Sequence, residues 1–200
     1  MKQKIHFIIL SFLMFTIVTN AQTSSNEKAA REWITAHSRE LNIKPYHNFK
    51  LSFVRKGLAG ETLRFQQMVN DVPVYDNEIV INFVNSDEVA FSSNNYDETI
   101  ENINTTPTIS KNEAVITSNN SLGFKGEITN QECNLVVTKI NNQTKLVYRV
   151  VTIAFDMKGS WEVSVDAQTG DVMSKKDVAI YHHNNDKKVK KKKRKKRNVK

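Results

Sequence analysis

Twice along this sequence, the apolar residues change from the spacing of a helix face to the strict alternation of a strand. In the stretch 24–43 they recur every three or four residues, which is the period of one helix face. These residues are Ala30, Trp33, Ile34, His37 and Leu41. Between 47 and 93, short runs instead alternate apolar and polar positions and are separated by glycine-containing or polar turns, which predicts antiparallel hairpins. His37 lies on or beside the apolar helix face. The predicted helix contains no second histidine that could form a ligand pair with it, so we interpret His37 as a residue at the edge of the core.

The same order, a helix followed by alternating strands, returns after an aperiodic polar stretch. Ser110 and Glu113 have the spacing of a capping box, which predicts a short helix near 110–119. Alternating runs then predict a second sheet over 134–173. Together with a helix over 25–42 and a first sheet over 47–93, the pattern predicts an α+β protein of two small lobes, each a helix packed on an antiparallel sheet.

The N-terminus is typical of a signal peptide. Lys2 and Lys4 precede an apolar run over 5–18, and small residues stand three and one positions before Gln22, the nearer being Ala21. We therefore expect a signal peptide over 1–21, cleaved between Ala21 and Gln22, and a secreted or periplasmic protein. A retained membrane anchor is the alternative, but the run is shorter than the roughly 20 apolar residues of a membrane-spanning helix. No transmembrane segment is expected after processing.

The basic charge of the chain is concentrated at its C-terminus. Residues 187–200 hold eleven of the 29 basic residues, and Lys2 and Lys4 belong to the predicted leader. The rest of the chain, residues 22–186, has 16 basic and 21 acidic residues and is therefore mildly acidic. We expect 178–200 to be a disordered lysine-rich tail, because a run of like charges repels itself. It has no aromatic residues interleaved with the lysines, so it predicts non-specific polyanion binding and no specific nucleic acid.

The sequence contains no complete catalytic constellation. A zinc peptidase of the thermolysin type needs His-Glu-x-x-His, and none of the five histidines has this context. The single cysteine, Cys133, has no Cys or His at metal-ligand spacing beside it and can form no intramolecular disulfide. We therefore expect no enzyme activity, no metal and no cofactor, and a fold that depends on its packed core.

Two stretches resemble modules of a known family. The segment "LRFQQMVNDVPVYDNEIVINFVNSDEVAFSS" resembles the FTP (fungalysin/thermolysin propeptide) module, and "WEVSVDAQTGDVM" is similar to the strand-turn-strand that ends a PepSY module. The resemblance extends over about 26–177. The residues that carry it are Phe65, Gln66, Gln67, Pro73, Val74, Trp161, Asp166, Thr169 and Gly170.

The resemblance implies an FTP-like lobe over 22–95, a linker over 96–108 and a PepSY-like lobe over 109–177. Most of the motif residues have a structural interpretation. Gly170 permits a positive φ in a turn, Asp166 can accept hydrogen bonds from the turn backbone, and Trp161 would fill a core. Gln66 and Gln67 point to opposite faces of a strand, so one of them could contact a partner.

Module pairs of this kind occur in propeptides of secreted zinc metallopeptidases. The resemblance therefore implies a propeptide-like inhibitor or folding assistant of such a catalytic domain, acting in cis or in trans. We expect a truncated or orphan precursor, because lysine codons are adenine-rich and a slipped reading frame would produce such a tail. Two alternatives stay open: a free-standing secreted binding module that uses a sheet edge for strand addition, and a polyanion-binding protein that acts through its tail.

Overall fold

The computed structural model describes residues 25–58, 60–84, 89–123, 127–154 and 159–179. The predicted signal peptide with its Ala21–Gln22 cleavage site, and the tail from 180 onward, lie outside the described residues. The elements, in chain order, are α1 (Ser25–Ala36), β1 (His47–Gly57), β2 (Gly60–Val69), β3 (Val72–Phe83), β4 (Val89–Asn94), α2 (Lys111–Leu122), β5 (Ile128–Ile140), β6 (Gln143–Ala154), β7 (Ser160–Asp166) and β8 (Val172–Asp177).

The strands form one hydrogen-bonded sheet. Their order is β1-β2-β3-β5-β6-β7-β8, and β4 pairs with β3. Neighbouring strands are antiparallel, with the exception of β3 and β5, which run parallel and meet at one residue pair, Val74 and Val137. The sheet therefore consists of two antiparallel parts joined at β3. The predicted α+β class is confirmed.

Each helix packs against its own hydrophobic core. In the first core, Ala30 and Ile34 of α1 meet the buried apolar residues of β2 and β3, among them Phe65. In the second core, Ala114 of α2 meets the apolar faces of β5, β6 and β7. Val69 of β2 and Val74 of β3 also belong to the second core. The two halves are thus joined by shared strands as well as by the chain.

The first helix is shorter than predicted. The apolar spacing continues to Leu41 and predicted a helix over 25–42, but α1 ends at Ala36 and is followed by turns over 37–42. The spacing persists because Leu41 and Ile43 still pack against the first core from these turns. The His37 ring stacks on Trp33 at 3.9 Å, and its Nδ1 lies 2.8 Å from the Trp33 carbonyl oxygen. Ser24, which with Glu27 has the spacing of a capping box in the sequence, lies outside the described residues.

The second helix begins as the sequence predicted. The Ser110 hydroxyl accepts from the Glu113 amide, and the Glu113 carboxylate accepts from the Ser110 amide, so the capping box is confirmed. The helix extends to Leu122 and ends at Gly123, whose φ of 65° favours glycine. The second antiparallel part of the sheet covers more residues than the predicted 134–173, because β5 begins at Ile128 and β8 ends at Asp177.

Trp161 does not fill a core as predicted. It lies on the same face of β7 as Val163 and Val165, which are fully buried in the second core, but Trp161 is only half-buried and lies outside that core. The reason is its position at the beginning of β7, beside Thr152 and Asp177 on the neighbouring strands.

In the described residues, neither helix has the length and apolar character needed to cross a membrane.

Candidate functional site

The segment between β4 and α2, residues 95–110, lies across both halves of the protein. We call it the crossing segment. It has no helix or strand, yet Ile100 is 1% exposed, and Ile103 and Ile109 pack against the second core. The Glu101 amide donates to the Thr144 hydroxyl on β6 at 3.0 Å. The stretch interpreted as a linker over 96–108 therefore supplies apolar side chains to the second core.

Gln67 holds the first end of the crossing segment. Its side chain is fully buried, although glutamine is usually exposed. The side-chain carbonyl accepts from the Asp97 amide at 3.0 Å, and the side-chain NH₂ donates to the Asp97 carbonyl at 3.0 Å. The glutamine amide thus pairs with Asp97 as a neighbouring peptide group would in a sheet. Each buried polar group is satisfied by the other.

Gln66 stabilises an irregularity in β3. The register of β2 and β3 shifts between Gln66 and Met68, and Asp76 has a φ of 60°. The Gln66 side-chain NH₂ donates to the carbonyls of Val74 at 2.5 Å and Asn77 at 2.7 Å, on either side of this residue. Both glutamines therefore bond within the protein, so neither points freely outward to a partner.

His47 extends the contacts of Gln67 into a buried hydrogen-bond network. Its Nε2 donates to the Ile100 carbonyl at 3.1 Å, which leaves Nδ1 to accept from the Tyr96 hydroxyl at 2.7 Å. The Gln67 side-chain nitrogen lies 3.4 Å from the same Nδ1. The Tyr96 hydroxyl in turn accepts from the Lys44 amide at 3.2 Å. The network ties the beginning of β1 to the crossing segment.

Burial and neighbouring charges shift the pKa values of this network. Burial lowers the pKa of His47 below its ordinary value, outweighing its hydrogen bond to the Ile100 carbonyl and the charge of Asp97, which act in the other direction. For Asp97, burial acts to raise the pKa. Hydrogen bonds from Thr99, the charge of Lys139 and, at the acidic pH where a carboxyl group titrates, the charge of protonated His47 bring it below its ordinary value. His47 is therefore neutral and Asp97 ionised at neutral pH.

The turn between β7 and β8 holds the other end of the crossing segment. One carboxylate oxygen of Asp166 accepts from the amides of Gln168 at 2.8 Å and Thr169 at 3.2 Å, and Gly170 has a φ of 82°. These bonds fix the position of Ala167. Its carbonyl oxygen accepts from the amides of Thr108 at 2.9 Å and Ile109 at 3.2 Å. Gln67 in the first half and the turn held by Asp166 in the second half thus both bind the crossing segment.

A separate contact joins the halves on the sheet. Tyr75 of β3 lies under the Arg149 guanidinium of β6, whose carbon is 4.6 Å from the centre of the phenol ring. Arg149 forms a salt bridge of 2.5 Å with Glu162 of β7, and the Tyr75 hydroxyl donates to the same carboxylate at 3.4 Å. Cation–π and charge-assisted contacts of this kind stabilise one relative orientation of β3 and β6.

The remaining predicted residues have separate positions. Phe65 is fully buried in the first core, and Val74 lies in the second core where β3 meets β5. Pro73 is the second residue of β3 and lies opposite Met68, beside the shift in register between β2 and β3. The Thr169 side chain is exposed and bonds to Asp171.

The sequence pattern did not indicate that His47, Tyr96 and Asp97 belong to one site. Their only signal was a tyrosine and two isoleucines, Ile100 and Ile103, in an otherwise polar stretch.

The arrangement consists of hydrogen bonds and packing contacts that hold the crossing segment in place. Across the described ranges, no group of three or more His, Cys, Asp or Glu side chains is placed to hold a metal ion. The thiol of Cys133 is buried, and burial raises its pKa, so it stays protonated and a poor nucleophile.

The sequence of this chain matches a known family in one segment and, more weakly, known proteins along most of its length. Residues 59–96, which include β2, β3, β4 and Tyr96, match the model of the Fungalysin/Thermolysin Propeptide Motif. This segment is therefore similar to the FTP motif, and we call it by that name. It contains Gln66 and Gln67, and it ends where the crossing segment begins. The match does not extend to the second half, so the PepSY resemblance stays a prediction.

Two relatives align with the FTP motif and the second half together. Bacillolysin from Bacillus subtilis strain 168 is 21% identical over 180 residues, covering 84% of this chain and 34% of the relative. Bacillolysin from Bacillus amyloliquefaciens is 24% identical over 175 residues, covering 81% of this chain and 33% of the relative. This chain thus spans about a third of the length of these relatives. Among solved structures, the YpeB C-terminal domain of Bacillus megaterium is similar over 78% of this chain and 66% of its own, at 14% identity and a TM-score of 0.40.

Replacing Gln67 by leucine should destabilise the protein because it leaves the Asp97 amide without its partner and removes the shorter of two hydrogen bonds to the Asp97 carbonyl, which the Ile100 amide also contacts at 3.5 Å. We expect a loss of about 2–4 kcal/mol in the free energy of unfolding, from one unsatisfied polar group and one lost hydrogen bond. Urea denaturation measures it. The matched control is Gln143→Leu at an exposed position of β6, which should change stability by less than about 0.5 kcal/mol. Equal effects of the two substitutions would contradict the role assigned to Gln67.

The lowered pKa of His47 predicts a loss of stability in mild acid. Above the ordinary histidine pKa of about 6.5, both folded and unfolded states hold neutral His47 and stability is unaffected. As the pH falls below that value, the unfolded state takes up a proton that the folded state does not. Stability then declines by at most about 1.4 kcal/mol per pH unit, until the pH reaches the folded pKa. The loss through Asp97 belongs to lower pH, where carboxylates are protonated.

Urea denaturation between pH 7.5 and 5 tests this sign. His47→Gln should be less stable at pH 7.5 but should lose less stability on acidification than the natural protein. Gln143→Leu, which changes no titratable group, should keep the natural slope. A His47→Gln variant with an unchanged slope would show that another group causes the acid sensitivity.

Proposed function

We propose that this chain is a propeptide-like inhibitor and folding assistant of a secreted zinc metallopeptidase. The observation that carries the proposal is the FTP motif at 59–96, together with an alignment to Bacillolysins that continues through most of the chain. The same observation favours a catalytic domain of thermolysin or fungalysin type as the partner.

The contacts around the crossing segment support a role in binding. Gln67 and the Ala167 carbonyl fix its two ends, and Tyr75 with Arg149 fixes β3 against β6. A surface that is already ordered loses little conformational entropy on association, which favours tight binding. A protein that binds only the folded catalytic domain stabilises it, by about 2.7 kcal/mol at a concentration 100-fold above the dissociation constant. Covering the substrate cleft would account for inhibition without any chemistry.

The division of the chain belongs to the same proposal. We assign 22–95 to an FTP-like lobe, 96–108 to the connection and 109–177 to a PepSY-like lobe. The bonds of Asp166 within the β7–β8 turn support the last assignment, because they give that strand-turn-strand a defined shape. The contacts of Ile100 and Ile103 give the connection a structural role beyond linking.

Location and mode of action follow from the proposed partner. A propeptide-like protein would act outside the cytoplasm, secreted or periplasmic, and would meet the catalytic domain in cis or in trans. Polyanion binding would depend on the lysines of 187–200 alone. Raised salt suppresses that kind of binding much more than it suppresses an apolar interface.

A titration against a catalytic domain tests the proposal. The protein is added to a secreted thermolysin- or fungalysin-type zinc peptidase from the same source, and initial rates of peptide hydrolysis are measured in 0.15 M and 0.5 M NaCl. We expect saturable slowing of hydrolysis at both salt concentrations. In a parallel experiment, the refolding yield of the denatured peptidase should rise in the presence of the protein.

Two variants serve as controls for the titration. Gln143→Leu should inhibit as the natural protein does. Gln67→Leu should inhibit less in proportion to its unfolded fraction. An unchanged hydrolysis rate together with an unchanged refolding yield would overturn the proposal and favour a free-standing binding module. Slowing that disappears at 0.5 M NaCl would assign the effect to the tail.

A further inference from the structure

The outer edge of β1 is open along half its length. β1 is the terminal strand of the sheet, and its partner among the described strands is β2. Near its beginning, the Arg31 guanidinium of α1 donates to the Phe49 carbonyl at 3.1 Å and covers that part of the edge. From Ser52 to Gly57, by contrast, every residue is exposed. Unpaired backbone groups on an exposed edge are a template for another strand.

The open half of β1 presents apolar side chains as well as backbone. Phe53 is 48% exposed and Val54 is 43% exposed, on opposite faces of the strand. A groove of about 560 Å³ begins at Arg55, the next residue of β1, and extends inward across the tip of the β1–β2 hairpin to the end of β3. Its lining includes Arg55, Leu58 and Val84. A strand added at this edge would cover apolar surface on both faces of the sheet.

The charge of β1 decides which kind of strand fits. Its eleven residues contain Lys50, Arg55 and Lys56 and no acidic residue, although the chain from 22 to 186 has more acidic than basic residues. Lys56 is balanced by Glu61 at 3.6 Å, whereas Lys50 and Arg55 form no ion pair with any described residue. The exposed apolar residues of this hairpin thus have basic neighbours.

A second copy of this chain is a poor occupant of the edge. Pairing two β1 strands would bring Lys50 and Arg55 of one copy beside the same positive charges of the other, and like charges on adjacent strands are destabilising. Lysine on an edge strand commonly prevents such self-association. The same charges attract an acidic strand.

We propose that the 52–57 edge of β1 is a docking site for an extended acidic segment of a partner protein, which adds to the sheet as a further strand with alternating acidic and apolar side chains. The inference rests on the proposed function only for the identity of the partner, a peptidase domain. Main-chain hydrogen bonds would supply affinity, and Lys50 and Arg55 would select acidic side chains.

A synthetic probe tests this edge independently of any peptidase. The probe is a fluorescent decapeptide of alternating glutamate and valine with blocked termini, and its matched control has every backbone amide methylated. Both peptides carry the same charge, so the lysine-rich tail attracts them equally. Only the unmethylated peptide can complete the hydrogen bonds of a strand. We expect it to bind the full chain at least about tenfold more tightly in fluorescence anisotropy at 0.15 M NaCl.

Charge reversal on the protein locates the site. Arg55→Glu should remove the difference between the two peptides, and Arg39→Glu, an exposed residue away from the sheet edge, should preserve it. Equal affinity of the two peptides for the natural chain would overturn the inference and leave polycation attraction only. A concentration-dependent dimer in analytical ultracentrifugation that Arg55→Glu changes would also overturn it, because the edge would then belong to a second copy. A peptidase that is inhibited equally by the natural chain and Arg55→Glu would contradict this edge as the interface while leaving the proposed function intact.

Discussion

The hydrogen bonds between the Gln67 side chain and the backbone of Asp97 are the constraint on which the rest of this structure depends. They place a buried amide of β2 against an irregular segment that has no strand to pair with. From that point the segment directs Ile100, Ile103 and Ile109 toward buried positions and reaches α2 with its capping box formed. Without the Gln67 side chain, the Asp97 amide would lose its partner at a cost of about 1–3 kcal/mol, and the Asp97 carbonyl would keep only its longer bond from the Ile100 amide. The crossing segment is therefore a structural element of both halves.

This organisation suits a protein that acts by presenting a surface. The two antiparallel parts meet at a single parallel residue pair, Val74 and Val137, which alone would give a weak junction. The crossing segment, the shared second core and the Tyr75–Arg149–Glu162 contact add independent restraints. Such a body can hold exposed strands in fixed positions, and the basic edge of β1 is one of them. The FTP motif contributes mainly to this internal framework, since both of its glutamines are used inside the protein.

The sequence predicted the parts of this fold whose signals are local. Alternation gave the hairpins, the Ser110–Glu113 spacing gave the start of α2, and the residues around Gln67 gave the FTP resemblance. What it did not predict depends on distant partners. The helical spacing through Leu41 cannot distinguish a helix from turns that pack on the same core, and Trp161 has the strand pattern of a core residue but lies where the strand begins. The burial of the crossing segment was missed because three isoleucines without periodicity carry no local signal, and their environment is created by strands that are distant in sequence, from β2 to β7.

Hydrogen exchange at single amides tests most directly whether the crossing segment joins the two halves. The informative amides are those of Asp97, Glu101 and Ile109, which bond to Gln67, Thr144 and Ala167. If the segment is part of one cooperative unit, these amides should exchange only through the global unfolding that exposes the central amides of β2 and β6, with equal free energies of opening. Exchange of the three amides at several kcal/mol below the strand amides would show a segment that opens by itself, and would contradict the account.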